Sequence, residues 1–452
     1  MNRREYEKSL WQYVHHTTLN PYEPGAVRIH IVPSKYTYFG RNSSVAILNG
    51  RDIIPLNTSW SVLMMIFIDE VNKYAGKEIT DNDMNLIIQK TISNLKSIYK
   101  DAREEDVKKD LLDIINVFIS IATTGKTDVD IGQITIGEYS KYMTAPHRMD
   151  LMISSMHKDG HWNCNQKCLH CYAGEQTYAI KNELTTNEWK KVIDKLKEIR
   201  VPQLTFTGGE PTRRDDLVEL VNYSKWFVTR LNTNGVLLTE DLCKKLYDAS
   251  LDSVQVTLYS SNEEEHNKLV GANNFKQTVE GIKNAVKAGL NVSTNTPLCT
   301  INKNYVDTLK FVKSLGVTYV TCSGLIVTGN AKTEKSISTQ LSNEELYEIL
   351  KEAKKYADDN LLEMGFTSPG WIKNEKLIEL NLAVPSCGAC LSNMAIASDG
   401  SIIPCQSWLE EDAKLGNILN DDWKKVWNSK KCKKIRAFSS KMEEKCPLRG
   451  GM

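Results

Sequence analysis

The stretch Cys164-Asn165-Gln166-Lys167-Cys168-Leu169-His170-Cys171 places three cysteines within eight residues. Thiolate is a soft ligand, suited to iron-sulfur clusters and to zinc. A zinc site would need a fourth ligand, which His161 or His170 could supply. The chain has eleven cysteines, and its start, Met1-Asn2-Arg3-Arg4-Glu5-Tyr6-Glu7-Lys8, leads into no apolar h-region, so a secretory signal is not expected. Clustered thiols without an export signal indicate a reducing compartment, where they serve metals more often than disulfides. A cytoplasmic location is the expectation.

Around the triplet the sequence repeats strand and helix units, which imply a parallel sheet with crossover helices. Candidate strands are Met149 to Met156, Gln203 to Thr207, Phe227 to Leu231, Ser253 to Leu258, Asn291 to Pro297 and Val317 to Ser323. Thr185-Thr186-Asn187-Glu188 is a capping box ahead of Trp189, Val192, Ile193 and Leu196. Six such units predict an α/β fold, a partial (β/α)6 TIM-like barrel. The cysteine triplet then lies in the loop after the first strand, at the face where barrel enzymes place their chemistry. The second strand runs into Gly208-Gly209-Glu210-Pro211, whose glycines would let a ligand's polar groups reach the backbone closely.

The triplet and the Gly-Gly-Glu-Pro strip, in this order and in these strand contexts, resemble the radical S-adenosylmethionine superfamily over roughly residues 149 to 325. The resemblance implies a 4Fe-4S cluster held by Cys164, Cys168 and Cys171, with one iron left for the amine and carboxylate of S-adenosylmethionine. Electron transfer to the cofactor then yields a 5′-deoxyadenosyl radical that takes a hydrogen from substrate, so the cofactor carries the hard chemistry and the protein supplies position and shielding. By the same resemblance Tyr172 is the aromatic on the adenine side, Gly208, Gly209, Glu210 and Pro211 meet the methionyl amine, and Thr257 is a fourth-strand hydroxyl near the cofactor's polar tail. Asn232-Thr233-Asn234-Gly235 matches a recurring third-strand ending with no role beyond lining the site. An electron donor such as a flavodoxin or ferredoxin is implied. No lone histidine or aspartate can be named as acid or base without geometry.

The stretch from about 385 to 452 holds five of the eleven cysteines. Cys387-Gly388-Ala389-Cys390, then Gly400, Cys405, Gly416-Asn417-Ile418, Trp427 and Cys446, resemble the SPASM or Twitch extension of radical enzymes, in which such cysteines hold auxiliary clusters. A complete SPASM pattern would continue after Cys446 with three more cysteines, whereas the sequence reads Cys446-Pro447-Leu448-Arg449-Gly450-Gly451-Met452. One auxiliary 4Fe-4S cluster on Cys387, Cys390, Cys405 and Cys446 is therefore expected, with Cys432 in reserve and better suited to a buried structural thiol. Cys243, Cys299 and Cys322 fall at apolar positions and read as core.

At 452 residues the chain exceeds one hydrophobic core. Residues 27 to 125 carry short alternating runs, Val27 to Val32, Val45 to Asn49 and Ile53 to Leu56, with Asn49-Gly50 as a hairpin signal. Helical patterns follow at about 59 to 74, 82 to 98 and 104 to 123, the last capped by Gly125. These elements predict a winged-helix-like α+β domain, and weakly resemble the leader-peptide recognition domain of enzymes that modify ribosomally made peptides. Such a domain offers a sheet edge to which an extended leader adds a strand; an oligomerisation module is the alternative. The expected division is 1–140 for this domain, 141–335 for the barrel, 336–384 for a connecting helical region and 385–452 for the auxiliary cluster domain.

A net charge of +1 gives no basic field for nucleic acid, and the best apolar run, Val62 to Ile68, is too short to span a bilayer. Neither nucleic acid nor membrane is an expected partner. Together the three parts imply a maturase that cross-links a ribosomally made precursor peptide through a thioether or carbon-carbon bond. The alternatives are a related enzyme acting on a small molecule or tetrapyrrole, and a non-catalytic protein that binds leader peptides or stores a cluster.

Overall fold

The computed structural model describes residues 3–19, 27–33, 44–49, 52–74, 78–124, 127–129, 140, 143–441 and 445–450. It divides into two compact units, Met1–Ala145 with Lys197–Pro202, and Pro146–Leu196 with Gln203–Met452.

In the first unit a helix, Arg3–Leu10, precedes strands β1 (His15–Leu19), β2 (Val27–Pro33), β3 (Ser44–Leu48) and β4 (Asp52–Leu56), which form one antiparallel sheet in chain order. The expected hairpin joins β3 and β4, and Asn49 takes the left-handed conformation at φ 49° that Asn tolerates in such turns; Gly50 and Gly125 lie outside the described residues. Strand β1 was not expected, because His15-His16-Thr17-Thr18 shows no apolar alternation. Its polarity is satisfied internally: the two ring nitrogens of His15 lie 2.7 Å from Asp69 Oδ1 and 2.7 Å from the carbonyl of Leu10.

Three helices follow, Thr58–Asn72, Asp81–Ile98 and Glu104–Thr124. Asn57 caps the first through the backbone N–H of Trp60, and Thr80 and Asp83 form a capping box on the second. Every residue from Val62 to Ile68 is at most 2% exposed, because this helix packs against both the sheet and the two later helices. An apolar run on all sides of a helix therefore marks a core element. Among the described residues no helix is long and apolar enough to cross a membrane.

In the second unit β5 (Arg148–Ser154) leads through the small hairpin of β6 (His157–Lys158) and β7 (His161–Trp162) to the cysteine loop. Strands β8 (Gln203–Gly208), β9 (Val228–Thr233), β10 (Ser253–Thr257), β11 (Asn291–Pro297) and β12 (Tyr319–Ser323) then pair in parallel in the order β5-β8-β9-β10-β11-β12. These are the six expected barrel strands. The capping box at Thr185 and Glu188 is present, and Trp189, Val192, Ile193 and Leu196 are each at most 2% exposed.

Residues beyond the sixth strand extend the same sheet at both edges. Strand β13 (Glu363–Phe366) pairs in parallel with β12, whereas β14 (Asn393–Ile396) pairs in parallel with β5 and continues into antiparallel β15 (Ser401–Ile403) and β16 (Gly416–Asn417). Gly400, at φ 82°, makes the β14–β15 turn.

Candidate active site

The loop after β7 is held from two sides. The N–H groups of Lys167 and Leu169 donate to the carbonyls of Val270 and Leu269, and the Trp162 indole N–H donates to the Gln166 carbonyl at 2.8 Å. From a segment some 160 residues later, Asn330 donates its backbone N–H to the Cys171 carbonyl at 2.9 Å and its side-chain amide to the Cys168 carbonyl at 3.1 Å. Gly329 fits beneath because a Cβ there would meet the Cys171 carbonyl oxygen at 2.6 Å.

The thiols of Cys164, Cys168 and Cys171 share one electrostatic neighbourhood. Burial, with Glu210 and neighbouring thiols adding, pushes Cys164 up to about 12 and Cys168 well up, and burial alone raises Cys171. A buried thiol kept neutral becomes a ligand only by releasing its proton to solvent when metal binds. Among the described residues no three His, Cys, Asp or Glu side chains gather as a single-ion site. The histidines considered for zinc are placed elsewhere: His170 Nε2 meets the Thr339 hydroxyl at 2.8 Å, and His161 is exposed on β7.

Gly208 ends β8 and Gly209 follows it, both against the backbone of Ser154 and Ser155. A Cβ on Gly208, at φ 139°, would meet the Ser154 carbonyl oxygen at 2.2 Å, and one on Gly209 would meet that of Ser155 at 2.8 Å. Strand-to-strand approach thus requires the glycines directly, a reason the sequence did not disclose. The Glu210 side chain is engaged by the protein: Oε1 accepts from the Thr212 N–H (3.0 Å), the Thr212 hydroxyl (2.6 Å) and the Thr233 hydroxyl (2.6 Å), and Oε2 accepts from the Asn234 N–H (2.9 Å). Burial raises its pKa against the effect of these donors. Asn234 in turn donates to Asn165 Oδ1 and brings its amide to 3.9 Å from Cys164 Sγ. The third-strand ending therefore links the Gly-Gly-Glu-Pro strip to the cysteine loop.

Tyr172 lines a cavity of about 510 Å³ inside the barrel, together with residues from β8 through β12. Its phenol is kept protonated by burial, with its hydroxyl bonded to Thr207. Thr257 ends β10 in register with Asn295 of β11, which also lines the cavity.

The C-terminal thiols form a second group. Cys405 feels the charges of Cys387 and Cys446 and is pushed up to about 12 chiefly by burial. The Ser439 hydroxyl lies 3.5 Å from Cys387 Sγ, and Cys432, whose sulfur accepts from Arg436 at 3.4 Å, neighbours Cys390. Cys432 is thus buried as expected, but its neighbour is Cys390 and not apolar core alone. Cys243, Cys299 and Cys322 are fully buried.

These two cysteine groups match known families. The Radical SAM superfamily matches residues 163–315, and the SPASM iron-sulfur cluster-binding domain matches residues 387–448. The chain carries a radical SAM domain followed by a SPASM domain. Such domains bring a 4Fe-4S cluster, S-adenosylmethionine and auxiliary iron-sulfur clusters, and the two thiol groups supply donors of the right softness for both cluster sites. An AdoMet-dependent heme synthase of Methanosarcina barkeri is 28% identical over 288 residues, 60% of this chain and 82% of that protein. The mycofactocin maturase MftC of Mycolicibacterium smegmatis is 27% identical over 278 residues, 58% of this chain and 67% of that protein. The fold is similar to that of SuiB of Streptococcus suis bound to the precursor peptide SuiA, with a TM-score of 0.59 at 14% identity, covering 88% of each chain.

Proposed function

We propose that this radical SAM enzyme matures a ribosomally made precursor peptide by closing an intramolecular thioether or carbon-carbon cross-link. The observation that carries the reading is the first unit: a four-stranded antiparallel sheet whose edge strands β1 and β4 each pair with one neighbour among the described residues, followed by three helices. A strand edge of this kind takes an extended peptide by β-addition. The likeness to SuiB runs along 88% of both chains, and MftC is by name a maturase; both support a peptide over a small molecule. The heme synthase resemblance supports the runner-up, a small molecule or tetrapyrrole.

In this reading Cys164, Cys168 and Cys171 hold the first cluster, and Cys387, Cys390, Cys405 and Cys446 hold one auxiliary cluster. Tyr172 and Thr257 face the cofactor, while Gly208 to Pro211 offer backbone to its methionyl end. Cluster and S-adenosylmethionine supply hydrogen-atom abstraction. The polar barrel positions the substrate carbon, and the first unit keeps the peptide at high effective concentration. A flavodoxin or ferredoxin is the expected class of electron donor. The test is mass spectrometry of a short peptide encoded beside the gene after anaerobic turnover. Each cross-link removes two hydrogens and lowers the mass by about 2 Da. An unchanged mass with solvent deuterium incorporated would show epimerisation, and a gain of mass would show group transfer.

A further inference from the structure

The inside of a (β/α) barrel is ordinarily packed with Val, Ile and Leu in layers. Here the inward row Asp150, Thr205, Arg230, Ser253 and Asn291, in register across β5, β8, β9, β10 and β11, is polar throughout. So is the row above it, Asn232, Gln255, Ser293 and Tyr319. Both rows line the cavity of about 510 Å³.

Higher in the barrel the polar groups answer one another. Thr321 donates its hydroxyl to Asn295 Oδ1 at 2.9 Å and accepts from Gln255 at 3.3 Å. In the lower row the bonding capacity is unmet: Asp150 Oδ2, Thr205 Oγ1 and Arg230 Nε are buried without a hydrogen-bond partner. Arg148 Nε is ion-paired with Asp150 Oδ1 at 3.0 Å, although without hydrogen-bond geometry. Among the described residues no carboxylate forms an ion pair with Arg230; burial first, and then the cationic Arg148, lower its pKa, and the more distant charges of Tyr319, Asp150 and Asp252 offset only part of that. A guanidinium left this way in a walled site is unfavourable until an anion reaches it. Its planar fork matches a carboxylate in two parallel hydrogen bonds.

We infer that Arg230, with Arg148 beside it, receives the carboxylate of an acidic residue of the substrate peptide, which anchors the segment presented to the radical. Arg230 lies four residues before Asn234, whose side chain reaches Cys164, and four strand residues span about 13 Å. That length would separate an anchored carboxylate from the thiols that would hold the cluster. The inference rests on the reading that a peptide enters this barrel. Arg230 is accordingly a positioning residue for substrate, not a catalytic one.

The test measures equilibrium binding to the cluster-loaded protein with S-adenosylmethionine bound. The probes are N-acetyl-glutamate N-methylamide, its isosteric glutamine counterpart, and glutarate, followed by saturation-transfer NMR. The glutamate probe should bind about tenfold or more tighter than the glutamine probe. Arg230→Gln should erase that preference, whereas Arg230→Lys should keep part of it. The preference in unaltered protein needs no variant, so misfolding of Arg230→Gln would not blunt the test. Equal binding of the two amides, no binding of either, or a preference that survives Arg230→Gln in folded protein overturns the inference; tighter binding of glutarate than of the glutamate probe overturns its peptide source. Because the probes require no turnover, a Glu preference lost in Arg230→Gln would stand even if the peptide mass never changed, and the two readings fail separately.

Discussion

Thr233 Oγ1 donates to Glu210 Oε1 at 2.6 Å, joining the end of β9 to the Gly-Gly-Glu-Pro strip after β8. With the Asn234 N–H on the other oxygen, the carboxylate fixes two strand ends that flank the cysteine loop. Glu210→Gln replaces one acceptor by a donor facing the Asn234 N–H. A buried mispaired group of this kind costs about 1 to 3 kcal/mol. The variant should keep its iron and bind S-adenosylmethionine about tenfold or more weakly, measured by equilibrium dialysis. Unchanged cofactor affinity would rule out the scaffold role, and Thr233→Val should weaken affinity in the same direction.

Gly208→Ala tests the close approach of β8 to β5. At φ 139° and 2.2 Å from the Ser154 carbonyl, an added methyl group has no room. Strain at such a site costs on the order of 1 to 3 kcal/mol, and the clash with backbone adds to it. Thermal melting should show a clear drop for the variant; a melting temperature equal to that of the parent would show that the strand ends separate easily.

His266 makes the barrel unit acid-sensitive. It is fully buried, its Nδ1 accepts the Tyr259 N–H at 3.3 Å, and burial lowers its pKa to about 4. Below about pH 6.5 the unfolded chain takes up a proton that the folded chain refuses until about pH 4. Stability present above that window is lost as the pH falls through it, by at most roughly 3 kcal/mol from this residue. Asn retains an acceptor and cannot titrate, so His266→Asn should flatten the fall in urea-unfolding stability between pH 6.5 and 4. Parallel pH curves for parent and variant would assign the acid sensitivity elsewhere.

The six barrel strands were legible because strand-length stretches recur with well-marked helices between them, and the first unit's three later strands because short alternating runs flank the hairpin at Asn49. The β1 strand was not, since what lets His15 be buried there is its pairing with Asp69 and the Leu10 carbonyl, which leaves no alternation in the sequence. In the site, the cysteine groups announced themselves by spacing. The Asn330 brace on Cys168 and Cys171 could not be read locally, because contact across some 160 residues leaves no periodic trace. Arg230 was hidden for another reason: a polar residue inside a parallel strand looks like an ordinary interruption until the register places it in one row with Asp150 and Thr205.

In the proposed function Cys164, Cys168 and Cys171 hold the cluster that cleaves S-adenosylmethionine, apart from a second cluster on the C-terminal thiols. Iron content and 5′-deoxyadenosine after anaerobic reduction, measured on the same reconstituted samples, test it most directly. The parent should hold about 8 iron atoms, as two 4Fe-4S clusters, and form 5′-deoxyadenosine. The combined change Cys164→Ala, Cys168→Ala and Cys171→Ala should leave about 4 iron atoms and no 5′-deoxyadenosine. Unchanged iron in that variant, or continued cofactor cleavage, would show that these three cysteines do not hold the cleaving cluster.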